Sequence, residues 1–243
     1  MGNGIAHVAA LSGYRVNLID LNKDALDSAI NKINDNLDRQ IQKDKITSSE
    51  KIEAMGNIEL SIDINDCRNS DLVIEAVPEV LSLKTKLFSE IDSFIKKDAI
   101  LASNTSSISI SDLAGSTNRA DRVIGMHFMN PVPIMKLVEI ISSDSTSDQT
   151  CEVIFNVAKK MGKLPVGCKD FPGFVSNRIL MPMINEAIIS LEDGVASAES
   201  IDRIMVLGMA HPMGPLKLAD LIGLDVCYNI MNVLFKGFND KKY

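Results

Sequence analysis

The chain has little cysteine, little histidine, no long apolar run and no surplus of positive charge, and each shortage removes a class of function. Its four cysteines, Cys67, Cys151, Cys168 and Cys227, stand far apart and without metal-ligand spacing. They suit buried thiols in a reducing cytoplasm, not a disulfide framework. No apolar stretch reaches the ~18 residues of a membrane-span candidate, and the first residues lack a signal-peptide pattern, so no membrane partner is expected. Lysine and arginine number 25 against 32 acidic residues, a net charge of −7, which argues against nucleic acid as a partner. An anionic ligand must therefore be held by local dipoles and a few placed cations. Only three histidines, His7, His127 and His211, can carry a proton near neutral pH.

What is present is a core-forming chain of 243 residues, 46% of them hydrophobic, enough for one or two domains. The opening MGNGIAHVAALSGYRVNLID reads as a short apolar helix, a glycine stop and a strand ending in an acid. That is the back half of a dinucleotide-binding unit, in which a strand and a G-x-G-x-x-G turn feed the helix and an acid grips a ribose. Gly2 fits the last glycine of the turn and Asp20 the acid, whereas the strand and the first two glycines have no residues here. Leu26, Ile30, Ile33, Leu37 and Ile41 mark one face of a long helix over 23–45. Strands are expected at 58–62, 71–77, 99–103, 122–128, 136–141 and 164–168, with helices at 83–95 and 149–161 between them. Alternation of this kind predicts a doubly wound Rossmann-type α/β sheet, here without its first strand, over residues 1–169. Residues 170–243 contain no strand pattern and read as a smaller, all-helical domain. Ile179, Met183, Ile184, Ala187, Ile188 and Leu191 line one helix, Ser197 caps a second with Glu199 and Asp202 near its positive end, and a third starts near Pro215.

His7 lies among Ile and Val on the first helix and reads as a packed residue, and His211 sits in a turn between helices. His127, in GMHFMNPVP, ends an apolar strand just before a loop stiffened by Pro131 and Pro133. Ligands bind at the carboxyl ends of strands in open α/β sheets. Glu139 follows twelve residues later, inside the apolar run KLVEII. A carboxylate buried there needs a partner. Two strands joined by a short loop can set it beside His127, where it would hold the imidazole in one tautomer. Position alone leaves two plainer readings open: a structural strand-end histidine, and a glutamate facing water at a sheet edge. SNTSS at 103–107 offers hydroxyls and amides to a crevice or merely caps a helix. Asn177, in DFPGFVSNR, reaches a ligand or caps the next helix.

Taken in order, MGNGIAH, LIDLN, DLVIEAVPE, ILASNTSSISI, RVIGMHFMNPVPIMKLVEII, DFPGFVSNRIL and HPMGPLKLADLIGLDV resemble the 3-hydroxyacyl-CoA dehydrogenase family over nearly the whole chain. The resemblance implies hydride exchange between a nicotinamide cofactor, NAD in preference to NADP, and a short-chain acyl-CoA thioester, 3-hydroxybutyryl-CoA going to acetoacetyl-CoA. It implies His127 as the base, Glu139 as its partner, and Ser106 and Asn177 as donors to the reacting and thioester oxygens. Gly2, Asp20, Glu79, Lys84, Asn104, Ser106 and Asn130 would line the cofactor side. Asn36 and Lys43 would meet coenzyme A, and the helical domain would pair two copies into a homodimer. It also implies a chain shortened at both ends, which is expected to weaken folding and cofactor binding. Two other classes stay open on sequence grounds: a dehydrogenase of free 3-hydroxy acids, and an inactive copy retained as a binding or structural protein.

Overall fold

The computed structural model describes residues 1–243. They divide into two compact units, residues 1–105 with 109–170, and residues 106–108 with 171–243. In chain order the first unit contains α1 (Gly2–Leu11), β1 (Val16–Ile19), α2 (Lys23–Ile41), α3 (Ser48–Gly56), β2 (Ile58–Ser61), β3 (Leu72–Glu75), α4 (Leu81–Asp92), β4 (Ile100–Ser103), α5 (Ile110–Ala114), β5 (Val123–Phe128), β6 (Leu137–Ser142), α6 (Asp148–Lys160) and β7 (Leu164–Lys169). This is the Rossmann-type α/β architecture expected from the alternation of strands and helices. β1 and β2 form a two-stranded parallel sheet, and the other five strands form a second sheet in the order β3-β4-β5-β6-β7. β3, β4 and β5 run parallel, β6 is antiparallel to β5, and β7 is parallel to β6.

Helix α1 links the two sheets. Its Ile5 and Val8 pack with Leu72, Ile74 and Ala76 around β3, while Ala6 and Ala10 pack with Val16 and Leu18 of β1. The periodic face of α2 buries Leu26, Ile33 and Leu37, and the Asn22 side chain accepts the Asp24 and Ala25 amides at its start. Helix α3 was not among the expected elements. Its signal is a capping box in which Thr47 and Glu50 satisfy one another's backbone amides. All six residues of β5 are buried, and so are the central four of β6, as suits strands deep in a sheet. Gly125 pairs with Ile141 across β5 and β6, and a Cβ there would lie 2.8 Å from Cβ of Ile141.

The second unit holds α7 (Ser176–Glu192), α8 (Ala198–Met209), α9 (Pro215–Ile222) and α10 (Leu224–Phe238). Its core gathers Met181, Ile184, Ala219, Cys227, Ile230 and Leu234. The expected face of α7 is therefore rotated. Asn177, Met181, Ile184 and Ala187 point inward, while Ile179, Ile188 and Leu191 are exposed. The helix is apolar on more than one side, so periodicity alone does not say which side this chain covers. Ser197 does cap α8 through the Ser200 amide. Asp202, however, serves the next helix, its carboxylate accepting the Leu216 and Lys217 amides at the start of α9. No single helix is long and apolar enough to cross a membrane.

Candidate active site

β5 and β6 are neighbours in an antiparallel ladder, and their register sets His127 directly opposite Glu139. Facing residues in such a ladder project to the same side of the sheet. Nδ1 of His127 and Oε2 of Glu139 are 2.8 Å apart, and both residues are buried, at 9% and 4% exposure. β6 lies between β5 and β7, so Glu139 is not at a sheet edge. A carboxylate against Nδ1 accepts the hydrogen bond of an Nδ1–H and so leaves Nε2, across the ring, as the basic nitrogen. Two strands, not loops, therefore supply the His127–Glu139 pair.

Two further anchors hold the carboxyl ends of the strands. Asn104, just past β4, donates its backbone N–H to the Glu75 carbonyl (2.8 Å) and accepts the Phe128 N–H at Oδ1 (2.9 Å). It thereby ties β3, β4 and β5 together beside His127. The loop after β5 contains Asn130, exposed and joined to Pro131 by a cis peptide bond. Lys163, buried before β7, donates to the carbonyls of Val132 and Met135 in this loop. Burial lowers the pKa of its ammonium. In the second unit, Asn177 is buried at the start of α7, and its Nδ2 donates to the Ser106 carbonyl at 2.9 Å. His127 and Glu139 thus belong to the first unit, Ser106 and Asn177 to the second. Asn36 stands on α2, accepting from Arg39, and Lys43 is exposed in the turn that follows that helix. No group of three or more His, Cys, Asp or Glu side chains is arranged to hold a metal ion.

The sequence profile of the 3-hydroxyacyl-CoA dehydrogenase NAD binding domain matches residues 1–171, and that of the family's C-terminal domain matches residues 173–243. The chain belongs to the 3-hydroxyacyl-CoA dehydrogenase family. A 3-hydroxybutyryl-CoA dehydrogenase of Bradyrhizobium diazoefficiens is 51% identical across the whole chain, which spans 83% of that relative. A probable 3-hydroxybutyryl-CoA dehydrogenase of Bacillus subtilis is 49% identical, again across the whole chain and 85% of the relative. The crystal structure of (S)-3-hydroxybutyryl-CoA dehydrogenase from Ralstonia eutropha superposes with a TM-score of 0.97 at 48% identity, covering all of this chain and 86% of that one.

The dinucleotide side of this dehydrogenase fits NAD. Helix α1 opens without an acidic residue in its first turn, and only Asn3 Oδ1 accepts one of its first amides, that of Gly4 at 2.8 Å, so its positive end suits a phosphate. Gly2 lies against Ala76, just beyond β3, and a Cβ on Gly4 would sit 2.9 Å from Cβ of Val132 in the loop after β5. The glycines thus let the helix start close against both strand ends. Asp20 is exposed at the end of β1, one oxygen accepting the Asn22 amide at 2.9 Å, and a carboxylate in that position suits a ribose diol. Glu79 is partly open in the segment that follows β3.

Lys84, placed on the cofactor side by the resemblance, is 1% exposed, with its ammonium 2.7 and 2.9 Å from the Glu75 oxygens and 3.1 Å from Glu79. An ammonium that deep needs full compensation by carboxylates, and it joins buried Glu75 to the partly open Glu79. Sequence reasoning passed over Glu75 and Lys163. Glu75 had a usable signal, since it interrupts the apolar run DLVIEAV just as Glu139 interrupts KLVEII. Lys163, beside a glycine turn, carries no sequence mark that separates it from a solvated lysine.

Proposed function

We propose that this chain interconverts 3-hydroxybutyryl-CoA and acetoacetyl-CoA with NAD as the hydride carrier. The observation that supports this reading is the 2.8 Å contact between His127 Nδ1 and Glu139 Oε2 at the carboxyl end of β5. A bound nicotinamide would supply the acceptor for the C3 hydride of the alcohol, and its donor in the reverse direction. His127 Nε2 removes the proton of the 3-hydroxyl as the C3–O bond becomes a carbonyl, and gives it back in the reductive direction. Glu139 keeps the Nδ1–H tautomer and stabilises the imidazolium that forms. The Ser106 hydroxyl and the second N–H of Asn177 donate to the reacting and thioester oxygens, so developing negative charge meets fixed dipoles. Lys43 and Asn36 meet phosphate and amide groups of coenzyme A.

Asp20 binds the adenosine ribose diol and disfavours the 2′-phosphate of NADP through charge repulsion. Glu79, Asn104 and Asn130 line the rest of the dinucleotide crevice. The helical unit carries a homodimer interface. α8 buries none of its residues within the chain, and Leu207 (75% exposed) and Leu221 (70%) leave an apolar surface that a second copy would cover. Leu207→Arg should convert a dimer to monomer in analytical ultracentrifugation, and a wild-type chain that sediments as a monomer removes this interface.

Acetoacetyl-CoA-dependent oxidation of NADH, followed at 340 nm, tests the activity. His127→Asn should reduce kcat by about 10²–10⁴-fold, the contribution of a positioned acid–base group. An Asn variant with wild-type turnover would eliminate the assigned proton carrier.

A further inference from the structure

Five residues close a ring at the carboxyl ends of β3 and β4, four of its links made between side chains and one by a backbone amide. Glu75 accepts from Lys84 through both carboxylate oxygens, at 2.7 and 2.9 Å, and from Ser103 Oγ at 2.6 Å. Lys84 reaches on to Glu79 at 3.1 Å. Thr105 Oγ1 donates to the other Glu79 oxygen, and the Thr105 N–H returns to Ser103 Oγ at 3.2 Å. Glu75 also accepts the Val77 N–H at 2.6 Å, which fixes the first turn of the segment that carries Glu79.

Four members of the ring are buried: Glu75 at 4%, Lys84 at 1%, and Ser103 and Thr105 at 0% exposure. The Glu79 side chain, 35% exposed, is the one member that meets the surface. Two carboxylates share one ammonium, so the ring carries a single net negative charge whose accessible end is Glu79. A carboxylate held in this way offers fixed acceptor lone pairs, matched to hydroxyl donors and opposed to phosphate.

We propose that Glu75 is a positioning residue for dinucleotide binding. Acting through Lys84, it orients Glu79 to accept a hydrogen bond from a hydroxyl or amide of the dinucleotide. The inference rests on the proposed nicotinamide reading and extends it to a side chain that touches no ligand. Asn104 shares the arrangement, since its N–H is held by the Glu75 carbonyl.

A single change such as Glu75→Gln leaves Lys84 with an uncompensated share of buried charge and can prevent folding. The decisive variant is E75Q/K84M, which removes both charges at similar volume, a replacement that in other buried pairs leaves stability near wild type. With the full chain assayed on NADH and acetoacetyl-CoA, the double variant should raise KM for NADH about tenfold, the scale of one misdirected charge-assisted hydrogen bond. Its kcat at saturating NADH should fall far less, and its thermal midpoint should stay near wild type. Glu79→Gln should raise KM by a similar factor and, combined with E75Q/K84M, add little more. A double variant with wild-type KM, or one that loses kcat and midpoint together with KM unchanged, would make the ring purely structural and overturn the inference. If the wild-type chain neither binds nor oxidises NADH, the nicotinamide reading itself fails, and the inference with it. Wild-type activity distinguishes the two failures.

Discussion

Acidification from pH 7 to pH 5 should cost this chain about 2 kcal/mol of folding stability through one buried imidazole. His7 is 1% exposed on α1, and its pKa is lowered from 6.5 to about 4, first by burial and second by the positive charge of Lys163. Gln40 contacts Nε2 at 3.0 Å, and Nδ1 has no hydrogen-bond partner. Below its ordinary pKa the unfolded chain protonates this ring while the folded chain does not. The unfolded state therefore binds more protons, and stability falls as pH drops through 6.5 and levels off below about 4. The full difference is about 3.4 kcal/mol at roughly 1.4 kcal/mol per pKa unit, of which about 2 has been lost at pH 5. That is a large share of the ~5–15 kcal/mol that holds a typical domain folded. The chain contains no tryptophan, so urea unfolding at pH 7 and pH 5 is best followed by far-ultraviolet circular dichroism. His7→Gln keeps a polar contact for Gln40 and does not titrate. Other groups titrate alike in both chains, so the pH-dependent loss should be about 2 kcal/mol smaller in the variant. Parallel losses in the two proteins would refute the assignment of the acid sensitivity to His7.

Other consequences are as direct. Glu139→Gln should lower kcat by about 10²–10⁴-fold with KM for NADH and the thermal midpoint nearly unchanged, because an amide opposite Nδ1 favours the wrong tautomer; a loss of kcat that merely follows the unfolded fraction seen by circular dichroism would reduce the side chain to a structural role. Asp20→Asn should narrow the preference for NADH over NADPH by about tenfold, since one carboxylate facing a phosphate costs on the order of 1–4 kcal/mol near a protein surface; an unaltered ratio of kcat/KM values would exclude this carboxylate as the discriminator. Gly125→Ala introduces a Cβ 2.8 Å from Cβ of Ile141 between buried strands, and should cost about 1–3 kcal/mol in urea unfolding.

The contact between His127 and Glu139 was legible because it combined two physical signals, an apolar strand ending in an imidazole and a carboxylate that no apolar strand buries without a partner. The short connection between these strands permits an antiparallel pair, and the ladder joining His127 to Glu139 is antiparallel. The same signal lay in DLVIEAV, but Glu75 finds its partner nine residues on, in the side chain of a lysine that reads as solvated. A long amphiphilic side chain gives no hint in sequence of which way its charged end is turned. Helix α3 was overlooked because it buries only Ala54 and so shows almost no apolar period, leaving its capping box as the sole mark. In the helical unit, periodicity found α7 but not its inward face. The break between α9 and α10 rests on Gly223 alone, which adopts a φ of +102°.

Because the imidazole and its carboxylate are opposed by ladder register, the distance between them is set by the pitch of backbone hydrogen bonding and is insensitive to the length of the connecting segment. Residues added or removed between 130 and 136 should leave the pair intact, whereas one residue inserted within either strand carries its partner to the opposite face and abolishes it outright. Evolution can therefore remodel the loop after β5 freely while the His127–Glu139 pair stays locked to the weave of the sheet.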